Sequence, residues 1–174
     1  ITTNPSIIAK SGADFKTRIA EICAIVPGPV SAEVVAQDYD GMRREADVLC
    51  AIADNVTIKV PMTFDGLKLC RGLVDQGRFV NVTLCFSVAQ ALLASSAGAT
   101  FISPFVGRLD DIGHVGMDLV ADIRTVYDQD SDIDTLILAA SLRHVTHVVD
   151  AARAGADVAT VPPSILRQMI AHPL

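Results

Sequence analysis

The sequence predicts an α/β chain of the eight-stranded β/α barrel type, on two observations. Short apolar, β-branched runs recur along the 174 residues with helix-patterned stretches between them, and polar residues stand two apart near the end of nearly every run. Strand followed by helix, repeated, implies parallel βαβ units.

Seven strand candidates follow in order: 1–4, 22–27, 56–61, 79–86, 100–106, 135–140 and 156–161. Between them, 32–53 and 116–127 carry apolar residues at helical spacing. Gly77, Gly98 and Gly155 each precede a strand, where a helix has to stop and a left-handed residue suits the stop. The chain opens on Ile1 and enters the run 1–4 at once, as if within a strand. Counted this way, the barrel lacks its first β/α unit, and its last helix is cut after Leu174. That accounts for part of the shortfall from the roughly 250 residues typical of the fold. An open doubly wound sheet is the other closure. No glycine-rich phosphate loop follows any strand, which weakens nucleotide-binding folds. With no linker or low-complexity tract, 1–174 reads as a single domain, truncated at both ends.

Composition narrows the function. A formal charge of −6 and a pI near 5.0 give no broad basic surface, so nucleic acid is not an expected partner. No stretch of roughly 18 apolar residues suggests a membrane span. Cys23, Cys50, Cys70 and Cys85 form no C-x-x-C pair and read as reduced, packed thiols of a cytoplasmic protein.

Residues at i and i+2 face one side of a strand, and in a barrel the C-terminal strand ends converge on the mouth where active sites lie. The pairs are Thr2 with Asn4, Ser31 with Glu33 just past its strand, Asn81 with Thr83, Ser103 with Phe105, and Ser141 with Arg143. Taken singly, each pair reads more readily as the polar end of a loop than as a site, and it is their recurrence that points to a site. Lys59 stands out because it interrupts the apolar strand Val56-Thr57-Ile58-Lys59-Val60-Pro61. Enclosure disfavours a lone ammonium and favours the neutral, nucleophilic amine, which condenses with a ketone to an iminium. The alternative is a lysine that snorkels to solvent or pairs with Glu33.

Glu33 and Thr83 are candidates to hold a water beside that amine, the carboxylate as base. Glu33 reads equally as a carboxylate at a helix N-terminus, and Thr83 as an ordinary strand residue. Arg108 and Arg143 follow neighbouring strands and, with Ser141, suit a forked phosphate clamp. Arg108 can instead pair with Asp110 or Asp111, whereas Arg143 has fewer acids nearby in sequence. His144 and His147 read as solvated helix histidines, His114 and His172 stand apart, and no metal site is expected.

These segments together resemble the transaldolase family, specifically its short bacterial and archaeal branch, with fructose-6-phosphate aldolase as a cousin. The carriers are Thr2-Thr3-Asn4-Pro5-Ser6, Ile58-Lys59-Val60-Pro61, Asn81-Val82-Thr83-Leu84, Ser103-Pro104-Phe105-Val106-Gly107-Arg108, Ala140-Ser141-Leu142-Arg143 and Val161-Pro162-Pro163. The resemblance implies a (β/α)8 TIM barrel and a cofactor-free transfer of a dihydroxyacetone unit from a ketose phosphate to an aldose phosphate, in the pentose phosphate pathway. By motif, Lys59 would be the Schiff-base lysine, with Glu33 and Thr83 holding the catalytic water. Asn4, Asn81 and Ser103 would contact the dihydroxyacetone moiety, while Arg108, Ser141 and Arg143 take the phosphate and Phe105 shapes the pocket. The cousins usually carry Gln and Tyr where this chain has Glu33 and Phe105, which favours transaldolase. The alternatives are an aldolase releasing free dihydroxyacetone and a non-catalytic sugar-phosphate-binding barrel. The family's first-strand aspartate, its acid/base in C–C cleavage, has no counterpart in this sequence. Short transaldolases commonly form pentamers or decamers, so a homo-oligomer is implied.

Overall fold

The computed structural model describes residues 1–4, 12 and 14–171; Pro5, Ser6, Lys10 and His172 lie outside the described residues. The chain divides into two compact units, Ile1–Thr83 with Ser96–Thr100, and Leu84–Ser95 with Phe101–Leu174.

The first unit runs α1 (Phe15–Ile25), β1 (Val30–Glu33), α2 (Tyr39–Cys50), β2 (Val56–Pro61) and α3 (Phe64–Val74), and holds the first four residues of β3 (Val80–Cys85). Its strands are parallel neighbours in chain order, with Glu33 opposite Lys59, Lys59 opposite Asn81 and Pro61 opposite Thr83. Side chains alternate across these strands. One face carries Val30, Ala32, Val56, Ile58, Val60, Val80 and Val82, all buried. The other carries Ser31, Thr57, Lys59, Asn81 and Thr83, which are polar and equally buried, with Glu33 partly so. The helices start where a side chain satisfies the first free amides: Asp38 accepts from Gly41 N at 2.8 Å and Thr63 Oγ1 from Gly66 N at 3.0 Å. Gly66 has no alternative, since a Cβ there would run into the Pro61 carbonyl.

Three expectations are corrected in this unit. The run 22–27 is no strand: α1 continues to Ile25 and the chain turns through Gly28 before β1 begins at Val30. The helix read over 32–53 starts only at Tyr39, because Ala32 and Glu33 belong to β1. The segment 1–4 forms a parallel bridge between Thr2 and Ser31, supported by Thr3 N–H donating to Ser31 O at 3.0 Å, and not a full strand.

The second unit holds α4 (Val88–Ser96) up to Ser95, then β4 (Phe101–Pro104), α5 (Val106–Asp110), α6 (Gly116–Tyr127), β5 (Leu136–Ala139), α7 (Val145–Arg153), β6 (Val158–Ala159) and α8 (Pro163–Ile170). β4, β5 and β6 pair in parallel, with Phe101 opposite Leu136 and Leu138 opposite Val158. Phe101, Leu138 and Ala140 form a core cluster on which Phe105 packs. From α6, Tyr127 is buried and donates its hydroxyl to Ala91 O at 2.7 Å. Helix α6 coincides with the helix read over 116–127, whereas the short helix α5 interrupts what read as the end of a strand. Gly77, Gly98 and Gly155 take the left-handed conformation expected of them, with φ of 73°, 83° and 85°. Among the described residues no helix is long and apolar enough to cross a membrane.

Candidate functional site

In the first unit the candidate residues sit on the polar face of three adjacent strands, and the register aligns them. Glu33 ends β1, Lys59 is the fourth residue of β2, and Asn81 is the second of β3, so the three lie in one row across the sheet. Lys59 Nζ donates to Glu33 Oε2 at 3.1 Å, with side-chain exposures of 7% and 20%. Glu33 is therefore a strand residue and not part of a helix N-terminus, and Lys59 is not a lone amine. Of the readings weighed for Lys59, pairing with Glu33 describes its contact.

Around this pair, Asn81 Nδ2 donates to Ser31 Oγ at 3.3 Å, and both residues are buried. Thr83, one place further along β3 on the same face, buries its hydroxyl with no hydrogen-bond partner, and so does Thr57, two residues before Lys59. A buried hydroxyl without a partner costs roughly 1–3 kcal/mol unless a water or ligand satisfies it. Asn4, half-buried, follows Thr3, whose hydroxyl donates to Ser31 O at 2.7 Å. The first unit thus brings together Lys59, Glu33, Asn81 and Thr83, and sets Asn4 beside β1.

The second unit carries the remaining candidates. Ser103 is buried in β4, and Phe105 caps the start of α5, edge-on to Phe86 with ring centroids 6.0 Å apart. Arg108 is exposed, its guanidinium 5.9 Å from the Phe105 ring centre. Ser141 has φ of 60°, a conformation uncommon for a residue with a Cβ, and its carbonyl accepts Gly107 N–H at 3.1 Å. Leu84, next after Thr83, also has a positive φ of 62°, a sharper outlier for a bulky side chain. Sequence reading gave no sign of either.

Arg143 and Gly107 are in close contact: a Cβ on Gly107 would lie 2.6 Å from Arg143 Nε and nearer still to the Ser141 carbonyl. Only glycine lets α5 approach the segment after β5 so closely. Asp111 takes the Arg143 guanidinium at 2.7 Å, both side chains about half exposed. The expected order of the two arginines is thus reversed, since the acid expected beside Arg108 pairs with Arg143, across 32 residues of sequence. His147 is not a freely solvated helix histidine: 14% exposed, it lies 3.3 Å from Asp110 through Nε2. No cluster of three or more His, Cys, Asp or Glu side chains suited to a metal occurs among the described residues.

Chemically, the first unit's face offers an amine with a carboxylate at hydrogen-bond distance and an unsatisfied hydroxyl nearby. The second offers two exposed guanidinium groups, that of Arg108 beside the Phe105 ring and that of Arg143 on Asp111.

Comparison with known proteins gives these features a context. The Transaldolase/Fructose-6-phosphate aldolase family matches residues 1–174. Proteins described as probable transaldolases are similar to the whole chain: 63% identical in Chelativorans sp., 63% in Rhizorhabdus wittichii and 62% in Sphingopyxis alaskensis, each match covering 80% of the relative. Among solved structures, an inosine 5' monophosphate dehydrogenase from Legionella pneumophila superposes with a TM-score of 0.63 at 17% identity, covering 87% of this chain and 49% of that one. At that identity the likeness concerns the fold alone, and with the family match it bears out the β/α barrel class.

Proposed function

This chain belongs to the transaldolase/fructose-6-phosphate aldolase family of enzymes, and from that premise we propose that it is a transaldolase working through a Schiff base on Lys59. The observation that carries the proposal is the enclosed Lys59–Glu33 pair at 3.1 Å on a polar strand face. A carboxylate at that distance takes the ammonium's proton when a ketose carbonyl arrives, and the freed amine adds to it. The carbinolamine then loses water to give an iminium, which draws electrons from the neighbouring C–C bond as it breaks, while the hydroxyl beyond that bond gives up its proton to a base and the shortened aldose phosphate leaves as an aldehyde. The dihydroxyacetone unit stays on Lys59 as an enamine until an aldose phosphate accepts it.

Proton transfers in carbinolamine formation and hydrolysis need a water beside the amine. The unpartnered Thr83 hydroxyl and the Glu33 carboxylate suit that role, Thr83 orienting the water and Glu33 acting as base. Following the family resemblance, Asn4, Asn81 and Ser103 are assigned to the donor's hydroxyls. Arg108, Ser141 and Arg143 are assigned to the phosphate, and Phe105 to the pocket wall. A guanidinium pair binds a phosphate through parallel charge-assisted hydrogen bonds. Sedoheptulose 7-phosphate or fructose 6-phosphate as donor, and glyceraldehyde 3-phosphate or erythrose 4-phosphate as acceptor, fit this assignment. It places the reaction in the pentose phosphate pathway, in the cytoplasm, without a cofactor.

Glu33 and Phe105 favour a transaldolase over an aldolase releasing free dihydroxyacetone, as the cousins carry Gln and Tyr there. One experiment with two readouts tests the proposal. Borohydride reduction in the presence of fructose 6-phosphate adds mass to the Lys59 peptide, and turnover of fructose 6-phosphate depends on an erythrose 4-phosphate acceptor. An unmodified Lys59 peptide in the folded, intact protein removes the Schiff base. Equal turnover without acceptor removes the transferase.

A further inference from the structure

The His147 ring occupies a position that its sequence context does not suggest. It is 14% exposed and has a neighbour at each nitrogen: Nδ1 accepts the backbone N–H of Arg143 at 3.2 Å, and Nε2 lies 3.3 Å from Asp110 Oδ2. A neutral imidazole has one donor and one acceptor nitrogen. Since Nδ1 accepts, the proton of the neutral ring belongs on Nε2, the nitrogen that faces Asp110.

The carboxylate is held in turn. Asp110 Oδ1 accepts Gly116 N–H at 2.8 Å, at the first residue of α6. His144 stands against the ring, centroids 3.7 Å apart, and its Nδ1 accepts His147 N–H at 3.3 Å. A chain of contacts therefore runs from the start of α6 through Asp110 and His147 to the backbone of Arg143. The Arg143 stem rests against Gly107, and its guanidinium on Asp111.

We propose that His147 is a positioning residue for anion binding by Arg143: the neutral ring fixes the Arg143 backbone so that its guanidinium meets a phosphate or sulfate, and protonation of the ring releases it. A protonated Nδ1 is a donor and cannot accept the Arg143 amide. It also sets a positive charge against the arginine. The inference rests on the assignment of Arg143 to the phosphate.

The charged groups facing His147 are Asp110 from α5, Asp150 from its own helix, and Arg143 and His144 from the segment before α7. Burial, His144 and Arg143 hold the imidazole below its ordinary value of 6.5, against the opposing pull of Asp110 and Asp150. The ring is thus mostly neutral near pH 7, and it takes up its proton at lower pH than an ordinary imidazole.

Titration of the intact protein with sulfate between pH 5.5 and 8 tests this. Sulfate stays dianionic throughout, whereas a phosphate ester gains a proton near pH 6 and would imitate the effect. Wild-type affinity is expected to be level above pH 6.5 and to fall below it. In His147→Asn the amide oxygen stands where Nδ1 stood and does not titrate, so affinity near pH 7.5 is retained and the fall at low pH is lost. His147→Ala is expected to bind about three- to tenfold more weakly at pH 7.5, the size of one lost hydrogen bond. Arg143→Ala separates the underlying assignment: if it leaves sulfate affinity unchanged, Arg143 is not the anion contact. If Arg143→Ala weakens binding while His147→Ala keeps both the wild-type affinity and its pH profile, the positioning role is overturned. Binding by His147→Asn as weak as by His147→Ala overturns it too, since the acceptor would then not matter.

Discussion

Replacing Glu33 by Gln tests the enclosed ion pair on which the proposed chemistry depends. Lys59 Nζ and Glu33 Oε2 are 3.1 Å apart, the lysine side chain 7% and the glutamate 20% exposed. At the effective dielectric of about 20 suited to such a site, two unit charges at this distance attract by roughly 5 kcal/mol, against which stands the cost of taking both out of water. The net worth of the pair is therefore small. Removing one partner is another matter, because it leaves an uncompensated charge, at a typical cost of about 3–5 kcal/mol. Glu33 keeps some contact with solvent, and a glutamine oxygen still accepts one bond from Nζ, so Glu33→Gln is expected to fall below that range, at about 2–3 kcal/mol. For a chain of this length that is a fall in Tm of roughly 4–12 °C. Lys59→Met in the same background removes the stranded ammonium, and the double variant should return to within about 1 kcal/mol of wild type. Urea unfolding with an unchanged m-value measures all three proteins. A Glu33→Gln variant within about 0.5 kcal/mol of wild type would show a solvated pair, and the enclosure argument would fall with it.

Two further outcomes follow from contacts in the second unit and from the thiols. Asp111→Asn frees the Arg143 guanidinium from an exposed ion pair worth at most about 1 kcal/mol, so sulfate affinity should rise by about two- to fivefold with little change in stability; weaker binding in the same titration would mean that Asp111 orients the arginine instead of competing for it. Burial pushes the Cys70 thiol up to about 12 and Cys85 up to about 11, so at pH 8 iodoacetamide should label the half-buried Cys23 and Cys50 first. Peptide mass spectrometry over a time course reads the order, and early labelling of Cys70 would contradict its packing.

What the sequence made legible depended on how local the cause was. Lys59 was visible because β2 has Val56, Ile58 and Val60 on one face, so a lysine between them had to lie on the other. Asn81 and Thr83 followed from the same alternation. The strand β1 was missed although it alternates too: Val-Ser-Ala-Glu offers only two small apolar residues, while the β-branched run just before it drew the assignment. That run ends α1 instead. Asp14 caps the helix by accepting from Thr17 N at 3.0 Å, Arg18 pairs with Glu21 one turn on, and Ile25, which a buried strand would have enclosed, is 81% exposed. Arg143 with Asp111, and His147 with Asp110, depend on segments more than thirty residues apart, and no periodicity reports such a contact.

The polar face of the first unit shows where folding and chemistry diverge. On the opposite face every position from Val30 to Val82 follows the rule that buried strand residues are apolar. On the polar face the rule is broken repeatedly within three strands: a lysine and a glutamate are partly or wholly enclosed, an asparagine is fully buried, and the Thr57 and Thr83 hydroxyls lack partners. Stability alone would favour valine at both threonine positions, since Val matches Thr in shape and carries no hydroxyl to satisfy. Departures from good packing that gather around one enclosed lysine, while the other side of the same strands is regular, are what a binding face requires and a core does not. Lys59 is therefore better understood with the face that surrounds it than as a single unusual lysine, and the reactivity proposed for it rests on the row that Glu33, Lys59 and Asn81 form together.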